Sequence, residues 1–264
     1  MTRKVVSSAG DWLERILVRE LACHLVFFGQ GFNLTDFVNT LKRYGESKVK
    51  FWQNLMLEPH FLPKVAMPQD ANFRGWKIKP EDWFWREIAK GKIFRQVNNK
   101  LVPVTKVRLE GITVLIDIRL KPKYDAGKQM YKNDNLLGPI IEDLRRAKKI
   151  AEYEYGLQSS RFGISADEWE IYIKPVLAQK LGLDESQLRL EREIEANVIP
   201  QIYLYMPRKD DGKTNTWEWR EEYFEDRGRR LSGGHSQNGG LADVFYDPSD
   251  GRWRFISFRP LVVL

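Results

Sequence analysis

The sequence ITVLIDIRLK, residues 112–121, alternates with a period of two. Side chains at its even positions are all apolar, whereas the odd positions include Asp117, Arg119 and Lys121. Such alternation is typical of a β-strand with one buried face and one exposed face. We therefore expect this strand to be central to the fold and to carry its charges outward.

Two strand-like runs precede this central strand. Residues 92–97 and 100–108 are separated by Asn98 and Asn99, a pair that favours a two-residue hairpin turn. Together with residues 112–121, they predict a three-stranded antiparallel meander over residues 92–121.

Helical periodicity dominates much of the remaining chain. An amphipathic helix is predicted over residues 11–28, with an inward stripe that includes Leu21 and Leu25. Further predicted helices cover residues 35–45, 47–57, 80–91, 136–153, 165–182 and 184–197. A strand is predicted at 198–206, and a C-terminal hairpin at 241–246 with 252–258. The predicted fold class is α+β: a helical N-terminal region, an antiparallel β-meander, a helical middle region and a C-terminal β-hairpin region.

Charge is distributed unevenly along the chain, whose net charge is +7 over 264 residues. Residues 1–132 carry 24 Lys and Arg against 13 Asp and Glu, whereas residues 133–264 carry 19 against 23. This division suggests a basic helical and β-meander domain at 1–132 and a helical and C-terminal β domain at 133–264, or one compact unit with two faces. A polyanionic partner is expected for the basic half.

Cations are concentrated in the central strand, the loop after it and the following helix. They are Arg119, Lys121, Lys123, Lys128, Arg145, Arg146, Lys148 and Lys149. Phosphates bind cations along a surface that a backbone can follow, and aromatic rings stack on bases of separated strands. Trp83, Trp85 and Tyr131 are candidates for such stacking, as is the run of arginine and aromatic residues at 252–259. The first prediction is a regulatory or accessory protein that binds nucleic acid, with DNA the expected type.

Three residues around the central strand suggest an alternative. Glu110, Asp117 and Lys121 resemble the acid, acid and lysine of the PD-(D/E)xK nuclease family, in which carboxylates hold a divalent cation near the attacking water. That family has its second acid two residues before the lysine, where this chain has Arg119. The resemblance implies a Mg²⁺-dependent nuclease; without it, no cofactor is expected.

A third alternative is an interaction subunit that docks on an acidic protein partner through the basic half. His24, His60 and His235 are dispersed and the chain has one cysteine, so no metal site is predicted from ligand spacing. Lack of an intrachain disulfide fits a cytoplasmic setting, and no apolar run is long enough to predict a membrane span. The glycine-rich residues 232–240 are predicted to form a loop.

Overall fold

The computed structural model describes residues 11–204, 216–234 and 241–264. Its fold is α+β, as the sequence predicts. The helices are α1 (Asp11–Phe28), α2 (Thr35–Asn54), α3 (Asp82–Ala89), α4 (Leu137–Arg146), α5 (Ala166–Glu168), α6 (Lys174–Leu181) and α7 (Glu193–Ile202). The strands are β1 (Leu57–Ala66), β2 (Ile93–Val97), β3 (Lys100–Pro103), β4 (Arg108–Asp117), β5 (Leu188–Leu190), β6 (Trp217–Phe224), β7 (Arg229–Gly233), β8 (Val244–Pro248), β9 (Ile256–Phe258) and β10 (Pro260–Val263).

These strands form two sheets. The first has the order β1-β4-β10-β5, and all of its pairs are antiparallel. The second has the order β3-β2-β6-β7-β8, with β9 added in parallel beside β6. Both sheets therefore take strands from either side of residue 132.

The central strand β4 is buried on both faces. Leu115 belongs to an apolar cluster with Trp52 of α2, whereas Val114 and Ile116 belong to a second cluster with Val198 of α7. Our expectation of an exposed charged face is therefore wrong, because helices cover both sides of this sheet. Burial of strand charges requires partners within the protein.

The predicted meander is divided between the two sheets. Asn98 and Asn99 have φ of 48° and 60°, as a two-residue type I′ turn requires, and they join β2 to β3 as predicted. However, β4 pairs with β1 along its whole length, from Leu57 opposite Asp117 to Ala66 opposite Arg108. Pro59 and Pro63 lie within β1. They are tolerated because β1 is an edge strand.

The C-terminal third also differs from its predicted elements. Val198 to Ile202 are helical rather than extended, and Pro200 lies within α7; residues 205–206 of that predicted strand lie outside the described residues. Almost every α7 side chain is buried, which removes the one-sided pattern by which helices are recognised. The predicted terminal hairpin does not form, since β8 pairs with β7 and β9 pairs with β6.

The first helix has the predicted bounds, but part of its predicted inward stripe is exposed. Leu21 and Leu25 are exposed, together with Val18 and Val26. Phe27 and Phe28 are buried at its C-terminal end. No helix among the described residues is long and apolar enough to cross a membrane.

Candidate nucleic-acid interface

Glu110 and Asp117, the two acids of the nuclease hypothesis, lie far apart. They stand near opposite ends of β4, seven residues apart, which is about 23 Å along a strand. Arg95 and Arg192 each donate a hydrogen bond to Oε1 of Glu110, over 3.0 and 3.1 Å. The structure therefore does not bring the two carboxylates to one point.

Asp117 is fully buried and surrounded by guanidinium groups. Its Oδ2 accepts a hydrogen bond from Arg161 (2.7 Å), and its Oδ1 accepts one from Arg119 (3.0 Å). A third guanidinium, that of Arg259, lies 3.9 Å from Oδ1. Burial alone raises the pKa of Asp117, but the three cations outweigh burial and hold the pKa well below its usual range. This carboxylate acts as the centre of an internal ion network.

The network fixes the segment that follows β4. Arg161 also donates to both carboxylate oxygens of Asp134, over 2.5 and 3.0 Å. The Tyr131 hydroxyl donates to Glu218 of β6 (2.5 Å), which also pairs with Arg259 over 3.1 Å. Tyr131 is buried, and so its ring cannot stack on a base. Its hydrogen bond to β6 fixes the loop after β4 on the protein interior.

Arg119 and Lys121 also belong to the interior. Arg119 Nη2 donates to the carbonyl of Leu55 (2.9 Å) and to Asn135 Oδ1 (2.8 Å). Lys121 Nζ donates to the carbonyl of Gly234 over 2.9 Å. Both side chains are buried. These two predicted phosphate-binding cations therefore stabilise the fold and are not available to a ligand.

Arg145 organises the chain that leaves α4. Its buried guanidinium donates to carbonyl oxygens of Ala151 (3.0 Å), Gln158 (2.6 Å), Ser160 (2.9 Å) and Phe162 (3.0 Å). Burial lowers the pKa of Arg145 to about 10, which leaves it charged at neutral pH. Because backbone carbonyls surround this cation, it shapes the loop at 147–163.

The exposed lysines of the predicted cluster stand at the end of α4. Lys148 N–H donates to the carbonyl of Arg145, and Lys149 N–H to that of Leu144, both over 2.9 Å. This is the Schellman arrangement, in which the residue equivalent to Lys148 is usually glycine. Lys148 has a φ of 55°, a conformation that disfavours side chains with a Cβ. Arg146, in contrast, is paired with Asp143 on the helix surface.

Lys123 and Lys128 are exposed in the loop after β4, which packs on the C-terminal loop. Gln129 Nε2 donates to the carbonyl of Arg254, and the Arg254 guanidinium lies 5.8 Å from the ring centroid of Tyr124 and 5.3 Å from that of Tyr155. These distances allow cation–π attraction. The cation holds rings from two loops together.

Three segments thus meet on one surface, residues 122–132, 146–155 and 251–255, which we call the loop face. Exposed cations on it are Lys123, Lys128, Lys132, Arg146, Lys148, Lys149, Arg252 and Arg254. Tyr155 and Trp253 are also exposed, by 45% and 39%. Exposed carboxylates on it are those of Asp125, Glu152 and Glu154. The surface combines an excess of cations with accessible rings.

A hollow of about 360 Å³ lies at one side of the loop face. Its lining includes Lys148, Lys149 and Arg252, together with Glu152 and Glu168. Arg252 Nε donates to Glu168 Oε1 over 3.0 Å, so this cation has a fixed position. The hollow connects the lysines after α4 with the C-terminal loop.

The aromatic residues at this surface were only partly predictable. Trp83 and Trp85, expected to stack on bases, instead pack with Phe84 in an apolar cluster that includes no residue of the loop face. Sequence reasoning identified Trp253 within the run at 252–259 but missed Tyr155. The alternating acids and tyrosines at 152–155 could have indicated an exposed tyrosine. Such a run is also common in loops that bind nothing.

Metal ligands do not gather within the described ranges, 11–204, 216–234 and 241–264, where no group of three His, Cys, Asp or Glu could hold an ion. His24 and His60 are buried beside Glu20, whose Oε1 lies 2.6 Å from His60 Nδ1. His235 and most of the glycine-rich loop lie outside the described residues.

No family model matches this chain, and no curated protein matches it. Among solved structures, the chain is similar to one titled "Crystal Structure of CarF", with a TM-score of 0.43 and 10% sequence identity. The alignment covers 80% of this chain and 99% of that chain. A likeness at this level carries no inference about fold or function.

Proposed function

We propose that this chain binds single-stranded nucleic acid, with DNA as the expected type, through the loop face. The observation that carries the proposal is the position of Arg254, which lies over the exposed ring of Tyr155 on the face whose segments carry the exposed lysines. Single strands are bound by a cationic surface that follows the backbone and by aromatic rings that stack on bases. The loop face has both components.

Each component has a defined role in the proposal. Lys123, Lys128, Lys148 and Lys149 neutralise phosphates and release counterions. Tyr155 and Trp253 offer rings to successive bases. The buried Arg145 and the Asp117 network support the face by fixing the loops from which these side chains extend. Paired Arg146 is expected to contribute little, because Asp143 already neutralises it.

We propose binding rather than cleavage, in a regulatory or accessory role. Asp117 is already held by three arginines, and Glu110 lies elsewhere on the strand beside Arg95 and Arg192. A nuclease would need these carboxylates to be free to share a divalent cation. The arrangement favours a structural role for both acids.

Fluorescence anisotropy with a labelled oligodeoxythymidine tests this function. The double variant Lys123→Glu/Lys149→Glu reverses charges on two loops of the face, and we expect it to weaken binding by at least about tenfold. The matched control, Lys42→Glu/Lys180→Glu, makes the same charge change at exposed positions on α2 and α6. Equal affinity of the two double variants would overturn the loop face as the binding surface.

Parallel titrations with RNA, duplex DNA and Mg²⁺ separate the alternatives. Stronger binding of single strands than of duplex supports the role of the exposed rings. Metal-dependent shortening of the probe would instead support the nuclease hypothesis. Failure of every probe to bind would leave a protein partner as the better explanation of the basic surface.

A further inference from the structure

A second concave site lies outside the loop face. It is a groove of about 480 Å³ where the end of β1, residues 105–108 and α3 meet. Its size falls in the range of sites that hold small organic molecules. Its lining residues lie in the segments 64–69, 85–88 and 105–108, which the proposed nucleic-acid contact does not use.

The floor and walls of this groove are apolar and fixed. Trp85 and Val107 are partly buried, and each packs against two apolar clusters of the core. Trp85 Nε1 donates to the carbonyl of Pro80 over 2.9 Å, which sets the orientation of the indole. Met67 N–H donates to the carbonyl of Val107 over 2.9 Å and continues the pairing of the two chain segments beyond β1. The concavity is therefore preformed.

Among the described residues, the charged side chains that line the groove are all cationic. They are Lys64, Lys106 and Arg108, and none of the described lining residues carries a carboxylate. Lys64 and Lys106 are exposed, and neither ammonium group has an ion pair within the described parts of the chain. Arg108 Nε donates to Glu110 over 3.2 Å, which orients that guanidinium. An apolar body and a negative group would complement this lining.

We propose that the groove binds a small organic carboxylate with an apolar body. The body packs on Trp85, Ile88 and Val107, and the carboxylate accepts hydrogen bonds from Lys64 and Lys106. Charge-assisted hydrogen bonds of this type are about twice as strong as neutral ones, and burial of apolar surface supplies the remaining affinity. This site is independent of the proposed nucleic-acid binding.

Isothermal titration with 2-naphthoate and its neutral analogue 2-naphthalenemethanol tests the proposal. We expect the carboxylate to bind at least about tenfold more tightly than the alcohol to the wild-type chain. The variant Lys64→Gln/Lys106→Gln should remove this preference while leaving the affinity for the alcohol unchanged. The matched variant Lys100→Gln/Lys180→Gln, at exposed positions outside the groove, should retain the preference.

A blocking variant tests the location separately from the charge. Ala66 is an exposed residue in the groove wall, and Ala66→Trp should fill the space and abolish binding of both compounds. Circular dichroism and thermal unfolding should show that this variant remains folded. Absence of naphthoate binding to the wild type, equal affinity for both compounds, or unchanged binding to Ala66→Trp would each overturn the proposal.

Discussion

The guanidinium of Arg254 lies 5.3 Å from the ring centroid of Tyr155, and so a cation of the C-terminal loop contacts a ring of the loop after α4. The same guanidinium lies 5.8 Å from the ring centroid of Tyr124. These contacts join three loops that are distant in sequence. They place a cation between two rings on the surface that we propose to bind nucleic acid.

Removal of the Tyr155 ring should weaken nucleic-acid binding. Stacking of a base on an aromatic ring contributes about 1–3 kcal/mol, so we expect Tyr155→Ala to lower affinity for oligodeoxythymidine by about tenfold. Tyr155→Phe keeps the ring and should bind like the wild type. Tyr172→Ala removes an exposed ring from the π-helical turn between α5 and α6 and serves as the control. Equal losses in all three variants would argue against stacking at Tyr155.

Replacement of Lys148 by glycine should separate binding from stability. Lys148 has a φ of 55°, which costs a side chain with a Cβ about 1–2 kcal/mol. We expect Lys148→Gly to raise the free energy of unfolding by about 1 kcal/mol, measured with urea. The same variant should weaken binding several-fold, since it removes a cation.

Lys149→Gly is the matched control, because Lys149 is also exposed but does not have a positive φ. This variant should weaken binding similarly and lower stability by about 0.5–1 kcal/mol. If Lys148→Gly lowered stability as much as Lys149→Gly, the positive φ of Lys148 would not be a source of strain.

Loss of the Asp117 charge should destabilise the fold. Removing one member of a buried ion network typically costs about 3–5 kcal/mol, because the opposite charges remain buried without compensation. We therefore expect Asp117→Asn to lower the free energy of unfolding by that amount. Asp143→Asn, at an exposed ion pair with Arg146, should change it by less than about 1 kcal/mol. Similar, small effects of both substitutions would contradict the network's structural role.

Acid should destabilise the chain through the cluster around Glu20. Burial alone raises the pKa of Glu20, but the charges and hydrogen bonds of its neighbours, His60 foremost, lower it below the ordinary value of 4.5. Ionised Glu20 therefore contributes stability above pH 4.5, and this contribution is lost as the pH falls through the lower, folded-state pKa. Burial also lowers the pKa of His24 below 6.5. The neutral form of His24 therefore stabilises the fold, and this contribution begins to be lost at a higher pH than that of Glu20.

Urea unfolding at pH values from about 7 to about 2.5 measures these contributions. We expect Glu20→Gln to be less stable at neutral pH and to show a flatter decline below pH 4.5 than the wild type. The exposed Glu142→Gln should follow the wild-type profile. A Glu20→Gln profile parallel to the wild-type one would show that Glu20 does not contribute to acid sensitivity.

The sequence predicted the elements whose signals are local. The first helix and the hairpin at Asn98-Asn99 formed as expected, because periodicity and turn chemistry act over a few residues. The strand predicted over 112–121 was recognised only in part, since β4 spans Arg108–Asp117 and residues 118–121 follow it. Its burial was not predicted. Whether Asp117 is exposed depends on helices far away in sequence, and a period of two does not report what covers each face.

In the candidate site, too, local features could be predicted and contacts between distant segments could not. Lys123, Lys128, Lys148 and Lys149 could be chosen from charge clustering alone. Arg119 and Arg145 lie in the same cation-rich stretches of sequence as these lysines. They are nevertheless buried, and their partners are carboxylates and carbonyl oxygens of the interior. The contact between Arg254 and Tyr155 required the loops to meet, and no local pattern specifies that meeting.

The salt dependence of single-stranded DNA binding shows whether the loop face neutralises phosphates. Anisotropy titrations of the wild type between about 50 and 200 mM NaCl give the slope of log Kobs against log salt concentration. With most of the loop-face cations in contact with phosphates, we expect a slope of about −3 to −5. For Lys123→Glu/Lys149→Glu the slope should be shallower by at least about 1.4. A slope near zero, or no binding at the lowest salt, would contradict the claim that this surface binds nucleic acid.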